Sequence, residues 1–208
     1  MRKSLGKIFF SPTITQLSFA HRAMPSGGTH DRITLYTLPL VAGVTLWQTG
    51  SSNLTLLVAG GFMFSGLMFG PDLDIYSRQF QRWGVLRCIW RPYQKSLRHR
   101  SVLSHGPVIG TILRVIYLGC LLGVVAVVMV VMGEKLGLVA WTWQDLVVAV
   151  VRSLLVYTTE YGALFLGLEL GAMSHSVSDW GSSAYKQVKK QGVRGLLPSG
   201  KVRKGKRK

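Results

Sequence analysis

Residues 33–71 hold no charged side chain across 39 consecutive positions. That run limits what the chain can fold into more than any other feature. One apolar crossing of a bilayer takes about 20 residues, so the run has room for two. Gly50-Ser51-Ser52-Asn53 supplies a turn between them. Spans are expected at roughly 33–48, with Trp47 as an interface anchor, and at roughly 54–70. The second is rich in small residues (Gly60, Gly61, Ser65, Gly66, Gly70) that let helices approach closely. Residues 115–133 form another uncharged run of 19 positions. With 107–113 in front, it makes a third span broken by Arg114 alone. After Glu134-Lys135, residues 136–152 read either as an interfacial helix or as the start of a tilted span. Residues 153–172 read as the fourth, with Glu160 and Glu169 inside it. Charges at membrane depth turn toward the bundle interior, so Arg114 and Glu160 are an expected pair. The fold class expected is all-α, an integral membrane helical bundle with about four spans. A soluble globule of buried helices is the alternative. It would normally carry a polar face at a period near 3.6, which the uncharged run lacks.

Charge and apolar residues are segregated into blocks. The 208 residues carry 25 Lys+Arg against 8 Asp+Glu, a net charge of +17, yet 48% are apolar. That apolar content excludes intrinsic disorder. Two cysteines, Cys88 and Cys120, are too few for a disulfide scaffold, and both read as free thiols. Four spans place the N-terminal segment, the 72–106 loop and the C-terminal tail on one side. Those three stretches hold 22 of the 25 basic residues, and the positive-inside rule makes that side cytoplasmic. Residues 1–23 are basic and lack acids. They read as an extension outside the fold, transit-peptide-like or upstream of a start at Met24. Residues 24–182 are the membrane domain. Residues 183–208 read as a basic, disordered tail, either solvated, lying on anionic lipid headgroups or touching RNA non-specifically; no specific nucleic-acid partner is expected.

The polar residues with chemistry cluster at span ends. His30 and Asp31 precede the first span, and Asp72 and Asp74 follow the second. His99 and His105 precede the third, and His175 and Asp179 follow the fourth. All lie on the same expected side, at helix ends within a few helix diameters of each other, about 10 Å each. His175 and Asp179 are four apart, on one face of a helix and able to grip one cation. Imidazole and carboxylate donors of this mix suit a divalent metal, zinc first, with manganese or iron as alternatives. Taken singly, each piece has an ordinary structural reading: a turn, a cap, a solvated loop histidine. Together, brought from four distant places, they point to a metal site at the cytoplasmic helix ends.

The motifs also resemble a known group. Met24-Pro-Ser-Gly-Gly-Thr-His-Asp-Arg-Ile-Thr, Gly70-Pro-Asp-Leu-Asp74, His99-Arg100 with Ser104-His105-Gly106, and Ser174-His175 with Asp179 carry the likeness. It is to an uncharacterised bacterial metal-binding protein family related to the LexA-regulated membrane-bound metal-dependent hydrolases. The resemblance covers roughly residues 24–181. It implies His30, Asp72, Asp74, His99, His105, His175 and Asp179 as metal residues. His99 and His105 stand one residue further apart than the loop pair of the hydrolase group.

If the site is catalytic, the expected chemistry is metal-activated hydrolysis of a phosphoester or lipid-like substrate at the cytoplasmic membrane face. Asp31, or whichever of Asp72 and Asp74 is not a ligand, is the expected general base. Arg100 is expected to hold an anionic substrate group. Membrane lipid is the expected partner. The alternative is a non-catalytic structural or interaction protein whose metal pins helix ends together.

Overall fold

A computed structural model describes residues 27–97 and 101–191. Within them every regular element is helical, and no strand occurs. Helix α1 (Gly27–Thr49) turns into α2 (Ser52–Leu67) where expected. Gly50 takes φ +60°, a conformation glycine adopts without a Cβ clash. Ser51 then caps α2, its hydroxyl accepting the Leu54 N–H at 3.4 Å. The chain continues through a 3-10 turn (Pro71–Asp74), α3 (Arg78–Gln81), a longer 3-10 stretch (Gly84–Trp90), α4 (Arg91–Ser96) and α5 (Val102–His105). The long helix α6 (Ile109–Lys135) follows, then α7 (Trp143–Val156) and α8 (Thr158–Gln191). Thr142 and Asp145 start α7 with a reciprocal capping box.

Helix α8 lies against α2 with almost no side chain between them. A Cβ at Gly167 would stand 2.2 Å from Val58 O, one at Gly171 2.5 Å from Phe62 O, and one at Gly61 2.8 Å from Leu164 O. Gly167, Gly171, His175 and Asp179 follow at intervals of four and make one ridge along α8. The stripe of small residues that seats the helix thus runs straight into the residues that carry the site. Thr34 of α1 packs on Gly66 in the same way, which completes a three-helix core of α1, α2 and α8.

The stretch between α2 and α6 is not an open loop. Trp90, with no exposed surface, sits among Phe69, Trp83, Tyr93 and Tyr117, with ring centroids 5.2–5.6 Å apart. Leu73, Phe80 and Leu168 complete this small core. It fixes the Asp72-Leu73-Asp74 turn against α8.

Two helical segments, 52–74 and 109–135, are long and apolar enough to cross a membrane, and α7 with α8 makes a third if the bent pair is one span. Helix α1 falls short of that test, because threonines, Pro39 and Gln48 dilute it. The expected fourth span at 153–172 is corrected: it straddles a break at Tyr157, where α7 and α8 meet at 80°. Thr158 Oγ1 bonds back to Leu154 O and Leu155 O at the break. Helix α8 runs on to Gln191, past the boundary expected at 182. The N-terminal extension and the tail beyond Gln191 lie outside the described residues.

Gly167→Ala should force α2 and α8 apart and cost about 1–3 kcal/mol, as overpacking does. Gly60→Ala, with nothing within 4 Å, should be neutral or stabilise by up to about 1 kcal/mol. Unfolding of the two variants in the same detergent, side by side, checks the contrast.

Candidate metal centre

Four separate stretches meet at the foot of the α2–α8 seam. His30 enters from the first turn of α1, Asp72 from the 3-10 turn after α2, His105 from the end of α5, and His175 and Asp179 from α8. His30 Nε2 lies 3.1 Å from Asp179 Oδ1. His175 Nε2 lies 3.1 Å from Asp72 Oδ2 and 3.7 Å from Asp179 Oδ2. The His30 and His175 rings stack with centroids 4.0 Å apart. Both histidines are buried.

The donor set fits a divalent cation. Ligand atoms of His30, His175 and Asp179 all lie within 4.8 Å of one another, and Asp72 adjoins them through His175. Ligands about 2.1 Å from zinc stand roughly 3.4 Å apart in a tetrahedron, a value that the separations of 3.1, 3.1 and 3.7 Å straddle. His175 Nε2 makes no hydrogen bond of normal geometry among the described residues, close as it is to two carboxylates. His30 Nε2 already pairs with Asp179 Oδ1 at 3.1 Å, so the unsatisfied nitrogen at the centre is that of His175, which a shared cation would satisfy. His30, His175, Asp179 and Asp72 are therefore the residues able to hold it.

His105 stands one step out. Its Nε2 is 3.6 Å from Asp72 Oδ1, and its Nδ1 is 2.8 Å from Ser104 Oγ and 3.9 Å from Asp74 Oδ2. Asp72 thus faces two histidines, one with each oxygen. Asp74 lies behind His105, in a buried neighbourhood shared with Tyr93 and Arg114. There, burial pushes the Tyr93 phenol above its ordinary value, the Asp74 charge adds to the rise and Arg114 opposes it. His99 and Arg100 lie outside the described residues.

Asp31, expected as a general base, has another partner. Both its oxygens are held by Arg82, at 2.9 and 2.6 Å, with Arg78 3.7 Å away. A carboxylate gripped by a two-pronged guanidinium is poorly placed to take a proton. Here it ties α1 to α3. The expected Arg114–Glu160 pair is also replaced. Arg114 donates to Ser104 O and Thr111 Oγ1, and the acid that shares its pocket is Glu169.

Two pockets of about 180 Å³ flank the cluster. One exposes His30, Asp72, His175 and Asp179, with Tyr76 and Arg78 at its edge. The other opens between α6 and α8, past His105, Arg114 and Glu169, with Met173, Val177 and Trp180 as an apolar wall. Sequence reasoning gave no role to Arg78 and Arg82, which sit in the basic 72–106 loop and carry no motif signal. Ser104 entered only as part of the Ser104-His105-Gly106 motif, without its bond to His105.

His175→Ala should lose bound metal. Asp31→Ala should keep it and lose about 1 kcal/mol of stability, as expected for a partly exposed ion pair. Elemental analysis beside thermal unfolding of both purified proteins checks this, and metal loss on Asp31→Ala would place Asp31 among the ligands.

Comparison with known proteins bears on this centre. An uncharacterized protein of Aquifex aeolicus (strain VF5) is 36% identical over 59 residues, which are 28% of this chain and 41% of the relative. The match thus spans about two fifths of that relative's length. No solved structure matches. Residues 25–189 match the family described as "Uncharacterized metal-binding protein (DUF2227)", a stretch that includes every residue of the cluster. The chain belongs to that metal-binding family.

Proposed function

We propose that the protein is a membrane-embedded, metal-dependent hydrolase acting on a phosphoester or lipid-like substrate, with zinc as its first candidate ion. The observation that carries the reading is the convergence of two buried imidazoles and two carboxylates on the wall of a pocket. A purely structural ion is served by a closed shell, whereas a catalytic one keeps a position open to solvent, and here the ligands border a cavity. A divalent cation in this setting supplies Lewis acidity and acidifies water.

The chain's own residues would do the rest. With Asp31 committed to Arg82 and Asp72 counted among the ligands, Asp74 is the carboxylate left for the proton, and His105, 3.9 Å from it, stands between it and the centre. Arg78, at the pocket edge and mostly exposed, would meet an anionic group entering it. Arg100 remains the second candidate for that task. The non-catalytic reading has one observation in its favour: the same residues join α1, the turn after α2, α5 and α8, so an ion there would also pin the fold.

The membrane setting is part of the proposal. Helices α1, α2 and α6 and the bent α7–α8 pair would make four crossings, with the centre and both termini on the cytoplasmic side. Support comes from the uncovered apolar faces of α6 and α7. Val124, Val125, Val128 and Met129 are exposed on α6, and no residue of α7 is buried.

Metal-stripped protein reloaded with zinc or manganese should cleave a generic phosphodiester, and His175→Ala should not. No metal-dependent turnover across a panel of phosphoesters and acyl esters would favour the structural ion. In inside-in vesicles, an impermeant maleimide should label the exposed Cys88 only after permeabilisation. Labelling of intact vesicles would reverse the sidedness.

A further inference from the structure

The turn between α5 and α6 carries His105 to Asp72, and its backbone is unusual at one residue. Val108 has φ 64° and ψ −54°. No other non-glycine residue among those described has positive φ. Ile109 N–H bonds Pro107 O across it at 2.7 Å. This closes a γ-turn of the rare positive-φ kind, and a β-branched residue there is strained.

Two buried charged side chains hold the turn. Glu169 of α8, 7% exposed, accepts the Val108 N–H on Oε1 at 2.9 Å. Its other oxygen, Oε2, has no hydrogen-bond partner among the described residues. Arg114 of α6, 1% exposed, donates from Nη1 to Ser104 O at 3.1 Å and from Nη2 to Thr111 Oγ1 at 2.9 Å. Gly110 lies so close that a Cβ would stand 2.7 Å from Ser104 O. The backbone is therefore pinned on both sides of His105-Gly106-Pro107. Burying a carboxylate to hold one backbone N–H is costly, and an apolar residue would serve packing better. The arrangement makes sense if the turn must not relax.

We propose that Glu169 is a positioning residue. By clamping the strained Val108 turn it keeps His105 Nε2 against Asp72 and so sets the affinity of the centre for its cation. The inference rests on the metal-centre reading above. A rival role for Glu169 is to balance the charge of Arg114.

Glycine at 108 separates the two roles. It accepts the positive φ without a clamp, but it does not replace a carboxylate. The experiment is zinc affinity, by competition with a chromophoric chelator, on full-length protein in detergent. Glu169→Ala should weaken zinc binding about 10- to 100-fold, the usual effect of losing a residue that orients a ligand. Glu169→Gln, whose amide oxygen still accepts the bond, should stay within about threefold of wild type. Val108→Gly combined with Glu169→Ala should return to within about threefold. If Glu169→Ala does not fold, Glu169→Met, which fills the volume, takes its place with and without Val108→Gly.

Wild-type affinity in Glu169→Ala, or loss without rescue by Val108→Gly in folded protein, would overturn the proposal in favour of charge balance. Unchanged affinity in His105→Ala alongside loss in His175→Ala would overturn it too, while leaving the metal centre standing. Absence of zinc binding by wild-type protein would remove the metal centre itself.

Discussion

At Gly61, Gly167 and Gly171 the backbones of α2 and α8 meet with no side chain between them. That closeness fixes the register of the two helices, since any slip would bring a Cβ into a carbonyl. The register then decides what sits at the foot of the seam. Four residues beyond Gly171 comes His175, and four beyond that Asp179, on the same ridge. The end of α2 delivers Asp72 opposite them through a turn held by the Trp90 core. Packing of small residues therefore comes before the chemistry. Dispersion across so close a seam holds the two helices together.

Buried charge is the second constraint. His30, Asp74, Glu169, Arg114 and His175 are all nearly sealed from solvent. Each needs a partner, because an uncompensated buried charge is expensive. Asp31 finds Arg82, Arg114 finds a carbonyl and a hydroxyl, and Glu169 finds a backbone N–H. His30, Asp72, His175 and Asp179 find chiefly one another. A cation completes that last set as no neighbouring side chain does.

Much of this was legible in the chain. The uncharged runs mark α2 and α6 because length and apolarity suffice for both. His30 and Asp72 flank the first uncharged run and His105 precedes the α6 run, while His175 and Asp179 were legible by their spacing of four; they lie inside α8, not at its end. What escaped had physical reasons. Residues 71–97 fold through 3-10 turns and short helices, whose aromatic core has no period to detect. Asp31 and Arg82 lie 51 residues apart, so nothing local pairs them. The break at Tyr157 has no proline or glycine to announce it. Glu160 and Glu169 stand nine apart, on opposite sides of a helix at about 100° per residue. Only one of them could face Arg114, and the sequence does not say which. Val108 carries no sign of its strained turn, since a valine there would ordinarily be read as extended or helical.

What needs testing is that imidazole and carboxylate side chains from three distant stretches, α1, the turn after α2 and α8, bind one cation. X-ray absorption at the metal edge of zinc-loaded protein tests it most directly. The expected result is a first shell of nitrogen and oxygen at about 2.0–2.1 Å, with the outer-ring scattering of two histidines, lost when His30 and His175 are both replaced. A shell of sulfur, or of oxygen alone without imidazole scattering, would contradict it.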